Sequence, residues 1–174
     1  SSNVPVTLNG GAGLDIINVG NNGTLGTPGL LTPVAGPVIV NGGASGADLT
    51  VDGTGAAVAA DYSITATTVT RSLPAGFGGV TYSNLTSLLL ATGSGPNVVT
   101  VSSTSVPTTA DANGGIDTLI LNPVNSITVY EQAGNYGFEL GTPGGLTAID
   151  FENINLQPGN GLLNIAGDQG QGTN

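Results

Sequence analysis

Apolar and polar residues alternate in short segments along almost the whole chain. In the segments 49–51, 99–101 and 127–129, a threonine separates two aliphatic residues. Successive side chains of a β-strand point to opposite faces, so this pattern predicts strands with one buried face. Long segments with helical spacing are missing, and the 30 glycines and 10 prolines would interrupt most of them. The sequence therefore predicts an all-β chain.

The predicted strands are short and are separated by turn residues. They lie at 4–8, 38–40, 49–51, 62–66, 80–82, 88–90, 99–101, 119–121, 127–129, 149–152, 154–156 and 163–165. Asn-Gly pairs, which favour turns, begin at Asn9, Asn22, Asn41, Asn113 and Asn160. Residues 24–36 and 53–60 are predicted to be loops, because they are rich in glycine, proline and alanine.

One glycine-rich turn recurs before predicted strands. It reads NGGAGLDII at 9–17 and returns in altered form as NGGASGADL at 41–49 and NGGIDTL at 113–119. A repeated turn indicates a chain that coils through similar units. Together with aliphatic inward positions and only 4% aromatic residues, it favours a right-handed parallel β-helix, or β-solenoid, over the alternative of an antiparallel β-sandwich. We expect one domain at 1–166 and a flexible tail, or a link to the next subunit, at 167–174.

Charge and composition exclude several classes of function. The chain has 11 acidic residues against a single cation, Arg71, and its net charge is −10. Nucleic acids and anionic membrane surfaces are bound through Lys and Arg, so neither is an expected partner, and no segment is apolar enough for membrane insertion. Without Cys or His, nucleophilic triads and ordinary zinc sites cannot form. Arg71 is expected in a surface or corner ion pair with Asp52 or Asp61.

The stretch GGAGLDII at 10–17 resembles the calcium-binding nonapeptide repeats of RTX proteins. That resemblance implies Ca²⁺ as a cofactor, with Asp15 as a carboxylate ligand and Asp117 as a weaker candidate. The copies are not in tandem, since the position nine residues after Asp15 is Thr24. The alternative interpretation is a glycine turn in which Asp or Asn caps backbone N–H groups.

Over most of its length the chain resembles the repeat regions of large bacterial surface and secreted proteins, through the turns above and the segments YSITATTVTR at 62–71 and GVTYSNLTSL at 79–88. The resemblance implies an extracellular or cell-surface location and a scaffolding or adhesive role. The leading hypothesis is a non-enzymatic module that stacks or polymerises end to end. One alternative is a carbohydrate-active β-helix that binds or hydrolyses polysaccharide, with Asp150 and Glu152 on one face of a strand. Another is a calcium-stabilised spacer.

Overall fold

The chain folds into two β-sheets in the computed structural model, which describes residues 3–20, 27–122, 127–132, 135–139, 144–157 and 163–165. The described residues contain sixteen strands and no helix. Sheet A contains β1 (Val6–Asn9), β3 (Val38–Asn41), β5 (Ala60–Ile64), β6 (Thr68–Leu73), β7 (Val80–Ser83), β9 (Asn97–Val101), β11 (Thr118–Leu121) and β15 (Asn153–Leu156). Sheet B contains β2 (Asp15–Val19), β4 (Ala47–Asp52), β8 (Ser87–Ala91), β10 (Thr108–Asp111), β12 (Ile127–Gln132), β13 (Asn135–Glu139), β14 (Gly145–Ile149) and β16 (Leu163–Ile165).

The chain crosses from one sheet to the other at almost every turn. Odd and even strands alternate between the sheets, and neighbours within a sheet are mostly parallel. Two zigzags interrupt this path, β5–β6–β7 in sheet A and β12–β13–β14 in sheet B, and each has an antiparallel middle strand. The resulting orders are β1-β3-β7-β6-β5-β9-β11-β15 and β16-β12-β13-β14-β10-β8-β4-β2.

The alternating sequence pattern places one aliphatic face of each sheet against the other. In β5 and β9 every second side chain is buried and those between are half-buried. The inward residues of both sheets form a single hydrophobic core. Its fully buried members include Ile64 and Leu119 from sheet A and Leu90 and Phe138 from sheet B. Burial of these apolar side chains is the main force that holds the sheets together.

Turns between the sheets stack at two edges of the molecule, which we name the first corner and the second corner. The first corner contains turns 10–14, 42–46 and 84–86, which lead from sheet A to sheet B. The second corner contains turns 53–59, 92–96, 112–117 and 150–152, which lead back to sheet A. Backbone hydrogen bonds join successive turns, such as Gly10 N to Asn41 O at 2.8 Å and Gly42 N to Ser83 O at 3.0 Å.

The prediction of an all-β chain is confirmed. The alternative prediction of an antiparallel sandwich disagrees with the mostly parallel pairing of the described strands. The predicted strand at 149–152 is wrong. There β14 ends at Ile149 and Asp150 has a left-handed φ of 58°, which turns the chain. The loop prediction at 24–36 agrees with the irregular backbone of residues 27–36. The predicted flexible C-terminal segment at 167–174 lies outside the described residues.

Arg71 is buried rather than at the surface, and this corrects the sequence-based expectation. It points inward from β6 with 6% of its surface exposed. One terminal nitrogen donates to the hydroxyl of Thr32 at 3.1 Å, and the guanidinium lies 5.8 Å from the centre of the Phe77 ring. A cation over an aromatic face is attracted by the ring's quadrupole. The single arginine therefore helps to fasten the loop around Thr32 onto sheet A.

Candidate functional site

Asp15, the first predicted calcium ligand, lies at the first corner where β2 begins. Its Oδ2 atom is buried and has no hydrogen-bond partner among the described residues. Gly10 packs directly against the carboxylate, since a Cβ atom at position 10 would collide with this Oδ2 and lie 2.8 Å from the carbonyl oxygen of Gly42. The glycine of the motif is thus required by close packing of one turn on the next.

Turn capping occurs in this corner through Asn41 rather than through Asp15. Oδ1 of Asn41 accepts hydrogen bonds from the backbone N–H of Gly43 at 3.1 Å and from Nδ2 of Asn84 at 2.9 Å. The first bond closes a local Asx turn and the second joins two successive turns. The capping interpretation of the glycine turns is therefore confirmed at Asn41.

Asp117, the second predicted ligand, lies at the second corner directly before β11 and is fully buried. Its Oδ1 accepts hydrogen bonds from the backbone N–H of Asn97 at 2.6 Å and from Nδ2 of Asn97 at 3.0 Å. Its backbone N–H donates to Oε2 of Glu152 at 2.6 Å. Asn97 begins β9, and Asp117 and Glu152 directly precede β11 and β15. These strands are neighbours in sheet A, so the three residues form a polar ladder along the corner, which we name the corner ladder.

The corner ladder contains two buried oxygen atoms without a hydrogen-bond partner, Oδ2 of Asp117 and Oδ1 of Asn97. Nδ2 of Asn97 is fully engaged, because it also donates to the carbonyl oxygens of Gly93 at 2.9 Å and Gly95 at 2.5 Å. Burial raises the pKa of Asp117, and the carboxylates of Glu152 and Asp150 act in the same direction, whereas the hydrogen bonds from Asn97 lower it.

The structure does not bring the two predicted calcium ligands together, since Asp15 and Asp117 lie at opposite corners. In the described part of the chain, no group of three or more His, Cys, Asp or Glu side chains is arranged to hold a metal ion. Calcium normally takes six to eight oxygen ligands, several of them carboxylates. Each site would therefore depend largely on backbone and amide oxygens.

Asp150 and Glu152 do not share a strand face, so the geometric reason for predicting them as a catalytic pair is wrong. Both are exposed in the turn between β14 and β15. Glu152 is engaged with the backbone of Asp117. The left-handed φ of Asp150 breaks the period-two geometry that would have aligned the two carboxylates.

Two other carboxylates are tied to the protein by hydrogen bonds. Oδ1 of Asp52 accepts from Gly29 N at 3.2 Å, from Thr54 N at 3.0 Å and from the Thr54 hydroxyl at 2.7 Å, so it connects the 27–36 loop to the second corner. Oδ1 of Asp48 accepts from the hydroxyls of Thr86 at 2.6 Å and Ser87 at 2.7 Å. These bonds hold the pKa of Asp48 below its usual value. Both carboxylates act as structural acceptors.

A shallow groove of about 650 Å³ crosses the outer surface of sheet B. Its floor includes Leu89, Thr109 and Thr147, which lie side by side on three parallel strands. Ser87 and Asp111 add further oxygen atoms to the lining. The surface is a mixture of hydroxyl and aliphatic groups with no cation, and it could form hydrogen bonds with a neutral hydroxylated ligand.

Both sheets end in open strands. At one end, which we name the head, β1 pairs only with β3 and β2 only with β4 among the strands that the structure describes. Val6 is 48% exposed, whereas its neighbour Val38 is 5% exposed and the next residue in the same row, Val80, is 1% exposed. The core is therefore covered inside the stack and open at the head.

The opposite end, the tail, has the same character in sheet A. β15 pairs only with β11 in the described part of the chain. Ile154 and Leu156 remain half-buried, while their neighbours Leu119 and Leu121 are fully buried. Sheet edges that lack a partner expose backbone N–H and C=O groups that can pair with another strand.

Comparison with known proteins finds no family model, curated protein or solved structure that matches this chain. The described residues also include no helix that is long and apolar enough to cross a membrane. The assignment of function therefore depends on the geometry of the corners, the groove and the open ends.

Proposed function

We propose that this chain is a non-enzymatic, extracellular structural or adhesive module, built as a right-handed parallel β-helix, whose copies stack end to end. The observation that carries this proposal is the open state of both sheets at the head and of sheet A at the tail, next to incompletely buried core residues. An open end of a repetitive β stack needs a cap or a continuation.

Several features favour continuation by another copy. Among the described strands, the first two, β1 and β2, are the outermost at the head, and the last two, β15 and β16, are the outermost at the tail. Sheet A and sheet B each contain eight of the described strands. A second copy placed on either end could extend both sheets at once.

The surface composition supports an extracellular role in which the protein serves as material or as an adhesive. Charged residues make up only 7% of the chain. The outward positions of the strands are filled largely by Thr, Ser and Asn, which fit repeated contacts between neutral polar surfaces. The resemblance to bacterial surface repeats points in the same direction.

Sedimentation velocity over a wide concentration range, combined with negative-stain electron microscopy, tests this proposal. We expect the sedimentation coefficient to rise with concentration and the micrographs to show rods one molecule wide. A single monomeric species at every concentration, with no rods, would remove end-to-end stacking as the function.

A second candidate is polysaccharide binding in the groove on sheet B, and the row of Leu89, Thr109 and Thr147 is the observation that favours it. Affinity electrophoresis in gels containing neutral polysaccharides provides the test. We expect retardation of the wild type and its loss in Thr109→Val, which removes a hydroxyl group at nearly constant volume. Unretarded migration in every polysaccharide would eliminate this candidate.

A third candidate is a calcium-stabilised spacer, favoured by the buried, unpartnered oxygens of Asp15 and Asp117. Under this hypothesis the ion would bind separately at each corner. Melting in Ca²⁺ and in EDTA distinguishes it, since a ligand that binds only the folded state raises the melting temperature with concentration.

A further inference from the structure

We infer that the contact between stacked copies is a parallel pairing of β15 of one copy with β1 of the next, with Ile154 beside Val6 and Leu156 beside Leu8. We name this contact the seam. It rests on the proposed end-to-end stacking and specifies the surface, the direction and the register through which a second copy of this chain binds.

The backbone geometry at the seam would repeat the geometry inside the molecule. β1 pairs in parallel with β3, and β11 with β15, and both pairs keep inward residues opposite inward residues. The free edge of β1 and the free edge of β15 face opposite directions along the stack. They can therefore meet only when the head of one copy contacts the tail of another.

The side chains restrict the register of the seam. Val6 and Leu8 point toward the core at the head, and Ile154 and Leu156 point toward it at the tail, because each pair adjoins buried residues of the next strand. A slip by one residue would place the aliphatic residues of one copy against the polar outer face of the other. Only registers that match inward with inward residues bury both pairs.

Electrostatics permit this contact despite the net charge of −10. β1 reads VTLN and β15 reads NINL, so neither strand contains a charged residue. Their outward positions carry Thr7, Asn9, Asn153 and Asn155, whose neutral side chains can form hydrogen bonds across the seam. A second copy therefore fits these edges without like charges in direct contact.

The direction of the seam determines the form of the assembly. A head-to-tail contact joins two different surfaces, so it continues indefinitely unless rotation closes a ring. A contact between two heads would instead be two-fold symmetric and would pair β1 antiparallel with itself. With eight strands per sheet spaced about 4.8 Å apart, we expect an axial repeat of roughly 38 Å per copy.

Cysteine crosslinking tests the seam directly, because the chain contains no cysteine of its own. In the inferred register Thr7 lies opposite Asn155, both exposed, on adjacent parallel strands about 4.8 Å apart. This spacing lies within the range that a disulfide can bridge. We expect the oxidised double variant Thr7→Cys/Asn155→Cys to form a ladder of trimers and higher oligomers on non-reducing gels.

Matched variants separate the seam from random collisions. Each single variant can form dimers at most. The double variant Thr81→Cys/Asn155→Cys carries its first cysteine in the same outward row as Thr7, but on the internal strand β7, which cannot reach a neighbouring copy's edge. We expect no ladder from this control, and circular dichroism verifies that every variant is folded.

The outcomes distinguish the seam from the proposed function. If the wild type assembles in the ultracentrifuge but the Thr7/Asn155 pair gives no more ladder than the Thr81/Asn155 control, the seam is wrong and end-to-end stacking stands. If the wild type remains monomeric, both fail. As a second measurement, we expect Val6→Asp, an inward charge, to raise the concentration needed for assembly at least tenfold more than Thr7→Asp, an outward charge. Equal effects would contradict the register.

Discussion

Gly42 offers the sharpest test of turn-on-turn packing, because an added methyl group has no space there. Gly42 lies in the first corner between the turn that begins at Asn9 and the turn at Asn84. A Cβ atom at position 42 would overlap the carbonyl oxygen of Asn84 and would lie 2.6 Å from the backbone nitrogen of Ala47. Both obstacles are backbone atoms, so relief requires the backbone of these turns to move.

We expect Gly42→Ala to lower the free energy of unfolding by about 1–3 kcal/mol, the usual cost of forcing extra atoms into a packed interior. For a chain of this length each kcal/mol changes the melting temperature by about 2–4 °C. Melting should therefore occur roughly 2–12 °C lower than in the wild type. Thermal unfolding and urea unfolding followed by circular dichroism measure the change.

Gly114→Ala is the matched control. Nothing lies within 4 Å of a Cβ atom at position 114, and Gly114 is not among the glycines with positive φ. The same chemical change should there be neutral or stabilising by about 0.4–1 kcal/mol, through reduced entropy of the unfolded chain. If Gly42→Ala melted at or above Gly114→Ala, the close packing of successive turns would be refuted.

Three further predictions concern the core, the corner ladder and calcium. Leu90→Ala should cost about 2–5 kcal/mol, because Leu90 is fully buried, whereas Leu89→Ala on the outer face should cost far less; equal urea midpoints would contradict this. Because the pKa of Asp117 is raised in the folded state, its charged form opposes folding, and stability is lost as pH rises through that pKa. Asp117→Asn keeps an oxygen acceptor, so its melting temperature should rise relative to that of the wild type as the pH increases above about 4, the ordinary pKa of Asp; a constant difference would refute this. Under the spacer hypothesis, Ca²⁺ should raise the melting temperature above that in EDTA and Asp117→Asn should reduce this rise, whereas identical melting would exclude a structural ion.

Most of the strands that the sequence predicts have aliphatic inward residues, although β6 and β14, with buried Val69 and Leu146, are not predicted. β9 and β11 were predictable because Val99 and Leu119 alternate with outward residues. β10 was missed because its inward residues are Thr108 and Ala110, which carry little hydrophobic signal. Burial of such small or polar residues follows from their neighbours on β8 and β14, and local sequence does not contain that information.

The order of strands within each sheet could not be predicted for a related reason. β5 lies beside β9, with Tyr62 next to Val99, although three other strands separate them in sequence. The local sequence does not indicate which strands pair in parallel, because any aliphatic strand with the same alternation could pair with β5. The zigzags become visible only when all the partners are known.

The candidate site was predictable only in part. The turn motif identifies Asp15 and Asp117, and both are buried wholly or partly. The similar motifs do not reveal that the chain comes from sheet A before Asp15 and from sheet B before Asp117. Asn97 was noticeable only as an amide in place of the acid in the altered motif at 92–97. Its role as the hydrogen-bond donor to Asp117 depends on contact between separate turns.

The two zigzags make the coils interdependent. In a simple stack, each coil rests on the coil before it, so units can be deleted or duplicated with little disturbance. Here β6 and β7 lie between β5 and β3, and the other edge of β5 pairs with β9, which comes later in the chain. Removal of β6 and β7 would leave a gap in sheet A between β3 and β5. The number of strands in this part of sheet A therefore cannot change unless β5 pairs with different neighbours.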